Sequence, residues 1–382
     1  MTTSISLTTH PYDVLLDMAP WVGQRAATFR FDLVNGITDQ PLGQLYPLAN
    51  ATPTLSHDTG QMIKRRLGGL LLDRSDTSQI NTLTDRVKVA MLLAGRSWPL
   101  GRYMFTDQVR ALSTGGAQSG GTLVDEMFIV DQQLTETFAP SNPGDTAEVA
   151  VRDLLDTLAD PSALSLPLSR QPVIEQSGYP AVGAWSAGTT RGQVLGALTT
   201  QGDYFPPWFD NSGAFHMIRS FDPAEKVPDF DLDRSGAVIA NTVAESSDVL
   251  AAPNRFVVIS NSGDGLGAPV VGTYDVPPTA PHSIQNRGFV LADVRTLQLA
   301  DIRQAIAAAR NLGLRQTVFE RVDLDTFPDP RHDSYDVVRF NGDLWLELAW
   351  SLPLVEGGQM SHTLRRAYRV VSGEAVGGVA GP

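Results

Sequence analysis

Apolar and polar positions alternate along much of the chain with the period of two that marks half-buried strands. From Thr28 to Val34, Phe29, Phe31 and Leu33 alternate with Arg30 and Asp32, and Asn35-Gly36 follows as a tight reversal. Val87–Leu93 and Tyr103–Val109 have strand composition on either side of Ala94-Gly95 and Trp98-Pro99-Leu100-Gly101, which predicts a second hairpin. Gly115–Gly121 is rich in Gly and Ser and predicts a mobile loop, after which Thr122–Leu134 resumes an apolar pattern. Residues 1–135 therefore read as one β-domain.

The period then changes. After the Pro- and Gly-containing stretch Ala139–Gly144, Val151, Leu154, Leu155 and Leu158 recur at helical spacing, with Asp145 as the N-cap, Glu148 at N3 and Pro161 beyond the end. A second helix is predicted over Thr190–Thr200, stopped by Gly202. Tyr204, Phe205, Trp208 and Phe209 around Pro206-Pro207 form an aromatic elbow, read as packed core in preference to a carbohydrate platform. This helix-containing middle domain spans 136–222.

From about Phe221 the strand signal returns. Phe256–Ile259 and Pro269–Val276 flank a glycine loop, and Asp336–Phe340 and Asp343–Trp350 flank Asn341-Gly342, the clearest hairpin signal in the chain. Between them Thr296–Leu312 predicts an alanine-rich helix with Ile302, Ala305, Ile306 and Ala309 on one stripe and Gly313 just past its end. Residues 223–372 read as a second β-domain with an inserted helix at about 296–312, and 373–382 as a fraying tail. The fold class expected is mainly β with α+β insertions.

Composition narrows the function. With 42% hydrophobic and 19% charged residues the chain has the balance of a globular protein, and Gly 34 and Pro 25 supply the many turns of a β-rich fold. A net charge of −13 argues against general nucleic-acid binding, which is driven by cations on phosphates. The absence of cysteine removes disulfides, thiolate nucleophiles and Cys-ligated metal centres. The N-terminus lacks the pattern of a signal peptide, and no window approaches the ~18 apolar residues of a membrane span. Lysine occurs only at Lys64, Lys88 and Lys226, so arginine carries nearly all the positive charge.

Candidate chemistry is sparse. Asp231-Leu-Asp233-Arg-Ser235-Gly236 opens like an EF-hand loop, but position 12 is Thr242 and the bidentate Glu is missing, so a turn is expected. Gly263-Asp-Gly265-Leu-Gly267 has neither dinucleotide spacing nor a following helix, and Gly183–Gly188 has one residue too many before Ser186 for a nucleophile elbow. His10, His57, His216, His282, His332 and His362 form no metal-ligand spacing, so a metal site would have to assemble from distant segments. Asp323 and Asp325 could serve a glycosidase in principle. No catalytic, cofactor-binding or metal residue is assigned, and no cofactor is expected.

A series of stretches in order carries a resemblance. Arg66-Leu-Gly-Gly-Leu-Leu-Leu-Asp73, Asp85-Arg86-Val87-Lys88-Val89 and Trp98–Phe105 resemble the opening domain of siphophage tail hub proteins. Gly188-Thr189-Thr190-Arg191 with Val194–Leu198, and Trp208-Phe209-Asp210-Asn211-Ser212-Gly213, are similar to the family's middle domain. Pro253–Val258, Pro281–Ile284, Arg303–Leu312, Leu352-Pro353-Leu354 and Gly357–Met360 are similar to its second β-domain. The resemblance implies a non-enzymatic minor tail protein of the virion. Three copies, each contributing two hub-type β-barrels, would form a pseudo-hexameric ring continuing the tail tube. It further implies a distal tail protein, a tape measure protein and fibre or spike proteins as partners, with genomic DNA passing through the lumen without specific binding. Two other readings stay open: a glycoside hydrolase acting through paired carboxylates, and a carbohydrate-binding module using Tyr204 and Trp208.

Overall fold

A computed structural model describes residues 27–368, apart from 74–79, 108, 114–115, 143, 159–170, 236, 240–242, 248–251, 261–268 and 317–318. His10, the N-terminal segment, Pro161, the 263–267 glycines, Thr242 and the tail lie outside these residues.

The chain is mainly β, with 41% strand and 16% helix. The first eight strands are β1 (Thr28–Asn35), β2 (Pro41–Leu45), β3 (Thr54–Asp58), β4 (Arg65–Asp73), β5 (Asp85–Leu93), β6 (Arg96–Phe105), β7 (Val109–Ser113) and β8 (Gly116–Val124). The β1–β2 reversal turns at Asp39 (φ 58°), with Asn35 Oδ1 accepting from the amides of Ile37 and Thr38, so Asn35-Gly36 starts the turn without being its centre. The β5–β6 turn is the two residues Ala94-Gly95, both left-handed (φ 53° and 75°); Trp98–Gly101 belongs to β6 and carries a bulge in its pairing with β5. Gly116–Gly121, expected in a loop, is strand: β8 pairs with both β4 and β7, and a Cβ on Gly120 would stand 2.8 Å from the Leu70 carbonyl oxygen, so small residues there serve close packing.

The middle of the chain holds α1 (Met127–Val130), α2 (Ala147–Asp156), β9 (Val173–Ile174), α3 (Arg191–Gln201), β10 (Trp208–Phe209) and β11 (Phe215–Met217). The N-cap of α2 is Thr146, one residue past the expected Asp145, whose carboxylate instead binds the Asn142 amide. At α3 Thr190 and Gln193 form a reciprocal capping box, and Gly202 is the C-cap. Tyr204, Phe205, Trp208 and Phe209 are all buried, which is the core reading and leaves no aromatic face for a sugar.

Then follow β12 (Phe230–Asp231), α4 (Leu232–Ser235), β13 (Ala244–Ser247), β14 (Arg255–Ser260), β15 (Val270–Asp275), α5 (Ile284–Arg287), β16 (Ala292–Thr296), α6 (Ile302–Gln316), β17 (Glu320–Thr326), β18 (Val337–Phe340), β19 (Asp343–Pro353) and β20 (Met360–Arg366). Strands β15-β14-β16 make a separate three-stranded sheet with α6 packed on one face. The helix begins six residues later than expected, because Thr296 ends β16, and runs through Gly313. Its buried stripe is Ala305, Ala308 and Ala309, whereas Ile302 and Ile306 are about half exposed. The reason is close approach: a Cβ on Gly272 of β15 would lie 2.1 Å from the Ala305 carbonyl carbon, and at that separation only alanine fits between helix and sheet.

The remaining strands of both ends form a single 14-stranded sheet whose main path is β13-β17-β20-β19-β3-β4-β8-β6-β5-β1-β2. Among the described residues no barrel closes. The early and late strands instead join directly, with Trp350 of β19 opposite His57 of β3.

Candidate functional site: a polar furrow over a buried ionic seam

Where β19 meets β3 the two faces of the sheet differ in chemistry. On one face, register places Asp323 opposite Thr363, Asp325 opposite Ser361, Ser361 opposite Ser351, Ser351 opposite Ser56, Ala349 opposite Asp58 and Ser56 opposite Arg66. These side chains, mostly hydroxyls and carboxylates, line an open furrow of about 760 Å³ running across β17, β20, β19, β3 and β4. Asp323 is held by Arg321 (2.8 Å) and by the Thr363 hydroxyl (2.6 Å). Burial raises its pKa, but the Arg321 and Thr363 contacts outweigh that and hold it below the ordinary value.

The other face is buried and ionic. A bulge in β19 between Glu347 and Ala349 breaks strict alternation, so Glu347 lands on the same face as Trp350, opposite Leu364 and beside His362. Thr59 fixes the bulge by donating from both its amide and its hydroxyl to the Leu348 carbonyl. Glu347, 0% exposed, then receives two imidazoles: His332 Nδ1 at 2.8 Å on Oε2 and His362 Nδ1 at 2.5 Å on Oε1. His362 Nε2 lies 2.8 Å from the Thr326 hydroxyl, and the His332 ring stacks on Phe230 with centroids 3.8 Å apart.

Burial by itself would lower the pKa of His332, but the Glu347 carboxylate holds it up to about 9. Burial likewise works against ionised Glu347, and His332 and His362 overcome it, bringing Glu347 down to about 2. The pair is thus an imidazolium–carboxylate couple with neutral His362, lowered by its burial, on the far oxygen. Two His and one Glu are also donors for a divalent ion. However, two ligands on one tetrahedral ion at 2.0–2.1 Å would stand about 3.3 Å apart, and the spacings found are those of hydrogen bonds.

The seam continues toward the early strands. His57 stacks on Trp350 (5.3 Å) and lies 3.1 Å from the Ser334 hydroxyl; burial first, then Arg65 and Lys64, keep it neutral. Arg65 of β4, 1% exposed, donates to Asn211 Oδ1 (2.6 Å) and to Asp333 Oδ1 (2.5 Å), while its amide binds Asp125. Asn211 in turn donates to the carbonyls of Pro330 and His332. One guanidinium therefore ties together an early strand, the middle of the chain and the 327–336 connection.

Sequence reasoning assigned none of these groups. His332 and His362 come from separate segments of the second half of the chain and His57 from a strand far earlier; His216, by contrast, serves a local pair with Asp210 (2.9 Å). The one legible signal is the phase slip within Trp345-Leu-Glu347-Leu-Ala-Trp350, where inward positions change parity. The EF-hand-like stretch has a different use: Asp233 accepts from the amides of Asn341 (2.7 Å) and Gly342 (2.9 Å), bracing the hairpin turn.

This arrangement of one long sheet, a small helical middle and a helix-backed side sheet is the fold of phage tail proteins. Solved structures that share it include the following. A tail protein from Neisseria meningitidis superposes with a TM-score of 0.54 at 14% identity, covering 89% of this chain and 97% of that one. The 43 kDa tail protein of prophage MuSo2 from Shewanella oneidensis gives 0.52 at 11% identity (88% and 98% covered), and a prophage tail protein from Listeria monocytogenes gives 0.54 at 9% identity (90% and 96% covered). No family model and no curated protein matches the sequence.

Proposed function

We propose that the chain is a structural component of a phage virion, the tail-tip hub. Three copies form a ring that continues the tail tube, contacting a distal tail protein and tape measure protein and anchoring fibre or spike proteins. The observation that carries this reading is the furrowed sheet. It runs across the strands at the join and offers solvent a wall rich in Ser, Thr and Asp side chains, with Lys64 and Arg66 toward the β4 side and Arg321 neutralised by Asp323 at the β17 side. Such a wall suits a conduit for DNA, because hydroxyls and carboxylates do not grip phosphates. The fold shared with tail proteins supports the same reading. In this account residues 1–135 and 223–372 build the tube wall and 136–222 decorates it. No cofactor takes part.

The test is to locate and count the chain in assembled particles by electron cryomicroscopy. Three copies on the tail axis around an open channel, with the furrow facing the lumen, is the expected result. Finding one, two or six copies, or copies on the capsid, would overturn the proposal.

A further inference from the structure

A second concavity lies where three parts of the chain meet. It has a volume of about 410 Å³ and is walled by the Asp58–Met62 connection, by Gly196, Thr199 and Thr200 of α3, by Phe205–Pro207, by Tyr335 and by Leu346 and Leu348 of β19. Into it reaches Arg315, from the last turn of α6. Among the described residues the only hydrogen bond made by its guanidinium is a long one to Asn311 Oδ1 (3.4 Å), and no carboxylate comes within ion-pair distance. Asp58 also lines the cleft, but its oxygens face the Gly60 amide (2.8 Å) and the Gln61 side chain (3.5 Å).

A second cation stands behind the same wall. Lys64 is 2% exposed, sits 5.8 Å over the Tyr335 ring and, among the described residues, donates only to the Gln61 carbonyl (3.3 Å). Burial, and after it the charge of Arg315, pulls its pKa down to about 7; burial also lowers that of Arg315. Arg65, the buried arginine of the seam, is by contrast matched by Asp333. Retaining a partly desolvated guanidinium with no counter-charge is costly unless a ligand supplies the charge, and a planar fork with open donors is the geometry that grips an oxyanion.

We propose that this cleft is a binding site for an oxyanion, a carboxylate or a phosphate group, seated on Arg315 with Lys64 adding positive potential behind Tyr335. The proposal stands independently of the tail-hub reading. The experiment is calorimetric titration of the full chain with sodium phosphate and, separately, sodium acetate, at constant ionic strength held with chloride, on wild type, Arg315→Gln, Arg315→Lys and the surface control Arg303→Gln. The expected result is saturable binding of at least one of the two anions to wild type and the control, weakened tenfold or more in Arg315→Gln and partly kept in Arg315→Lys. Tighter binding of phosphate assigns the site to a phosphate-bearing ligand, and equal or tighter binding of acetate assigns it to an acidic group of a partner protein. Because Arg315→Gln removes an uncompensated charge, its urea midpoint without anion should equal or exceed that of wild type. Binding by neither anion, binding that is unchanged in Arg315→Gln, or a lowered midpoint for that variant would overturn the proposal.

Discussion

Replacing Glu347 by Gln should destabilise the chain in a pH-dependent way whose size follows from the geometry of the seam. In the folded chain His332 faces Glu347 at 2.8 Å, with no water between them to screen the charge, and its pKa stands at about 9 against an ordinary 6.5. That gap, at 1.36 kcal/mol per pH unit, corresponds to about 3 kcal/mol. The sign is that of a base stabilised in its charged form: the contribution is complete below pH 6.5 and disappears as pH rises through 9. Loss of one partner of a buried pair, at about 3–5 kcal/mol, gives the same order. Lys64, whose pKa falls to about 7 in the folded chain, titrates over part of this window in the opposite sense, so absolute stability is a poor readout. The difference between wild type and Glu347→Gln cancels groups common to both. Urea midpoints at half-unit steps from pH 6 to 9.5 should give a difference of about 3 kcal/mol at pH 6 that shrinks by more than half at pH 9.5. A gap that stays constant with pH, or no gap at pH 6, would refute the assignment of an imidazolium–carboxylate couple.

Other substitutions probe the rest of the fold. Asn341 and Gly342 sit at φ 53° and 78°, and a Cβ on Gly342 would touch nothing within 4 Å, so Gly342→Val should cost about 2 kcal/mol through backbone strain alone while Gly342→Asn stays near neutral in urea titrations; equal midpoints for wild type and the Val variant would count against the turn. Gly272→Ala should destabilise the fold by about 3 kcal/mol by lifting α6 off its sheet, and an unchanged midpoint would show that the helix is not seated there. Purified chain should release no product from host cell-wall glycan or peptide; turnover abolished by Asp323→Asn would make the furrow an active site after all.

What the sequence made legible was local. Asn-Gly at 341–342, the capping pair Thr190 and Gln193, and the leucine spacing of Val151–Leu155 each encode their structure within a few residues, where backbone preference decides. The join between β19 and β3 could not be read that way, because a pairing between distant strands leaves no mark at either one. The same holds for Glu347, whose inward position depends on a bulge fixed by Thr59, and for Asp233, whose carboxylate serves a turn more than a hundred residues later. On α6 the expected stripe holds at Ala305 and Ala309 and fails at Ile302 and Ile306 for a related reason. Hydrophobicity favours the isoleucines, but Gly272 brings the sheet so near that size overrides it.

The join between β3 and β19 also sets the order in which the molecule can be made. Thr59 and the Leu348 carbonyl it binds are 289 residues apart, so the central ladder of the large sheet cannot begin to form until β19 has followed β3 out of the ribosome. Until then β3 presents an unpaired strand edge beside Trp350's future place, the kind of edge that recruits strands from other nascent chains. Closing so long a loop costs entropy before any contact repays it, which places this protein among slow folders whatever its final stability. Chains truncated before β19 should therefore accumulate as aggregates, and slowing translation or lowering temperature during expression should raise the yield of folded protein.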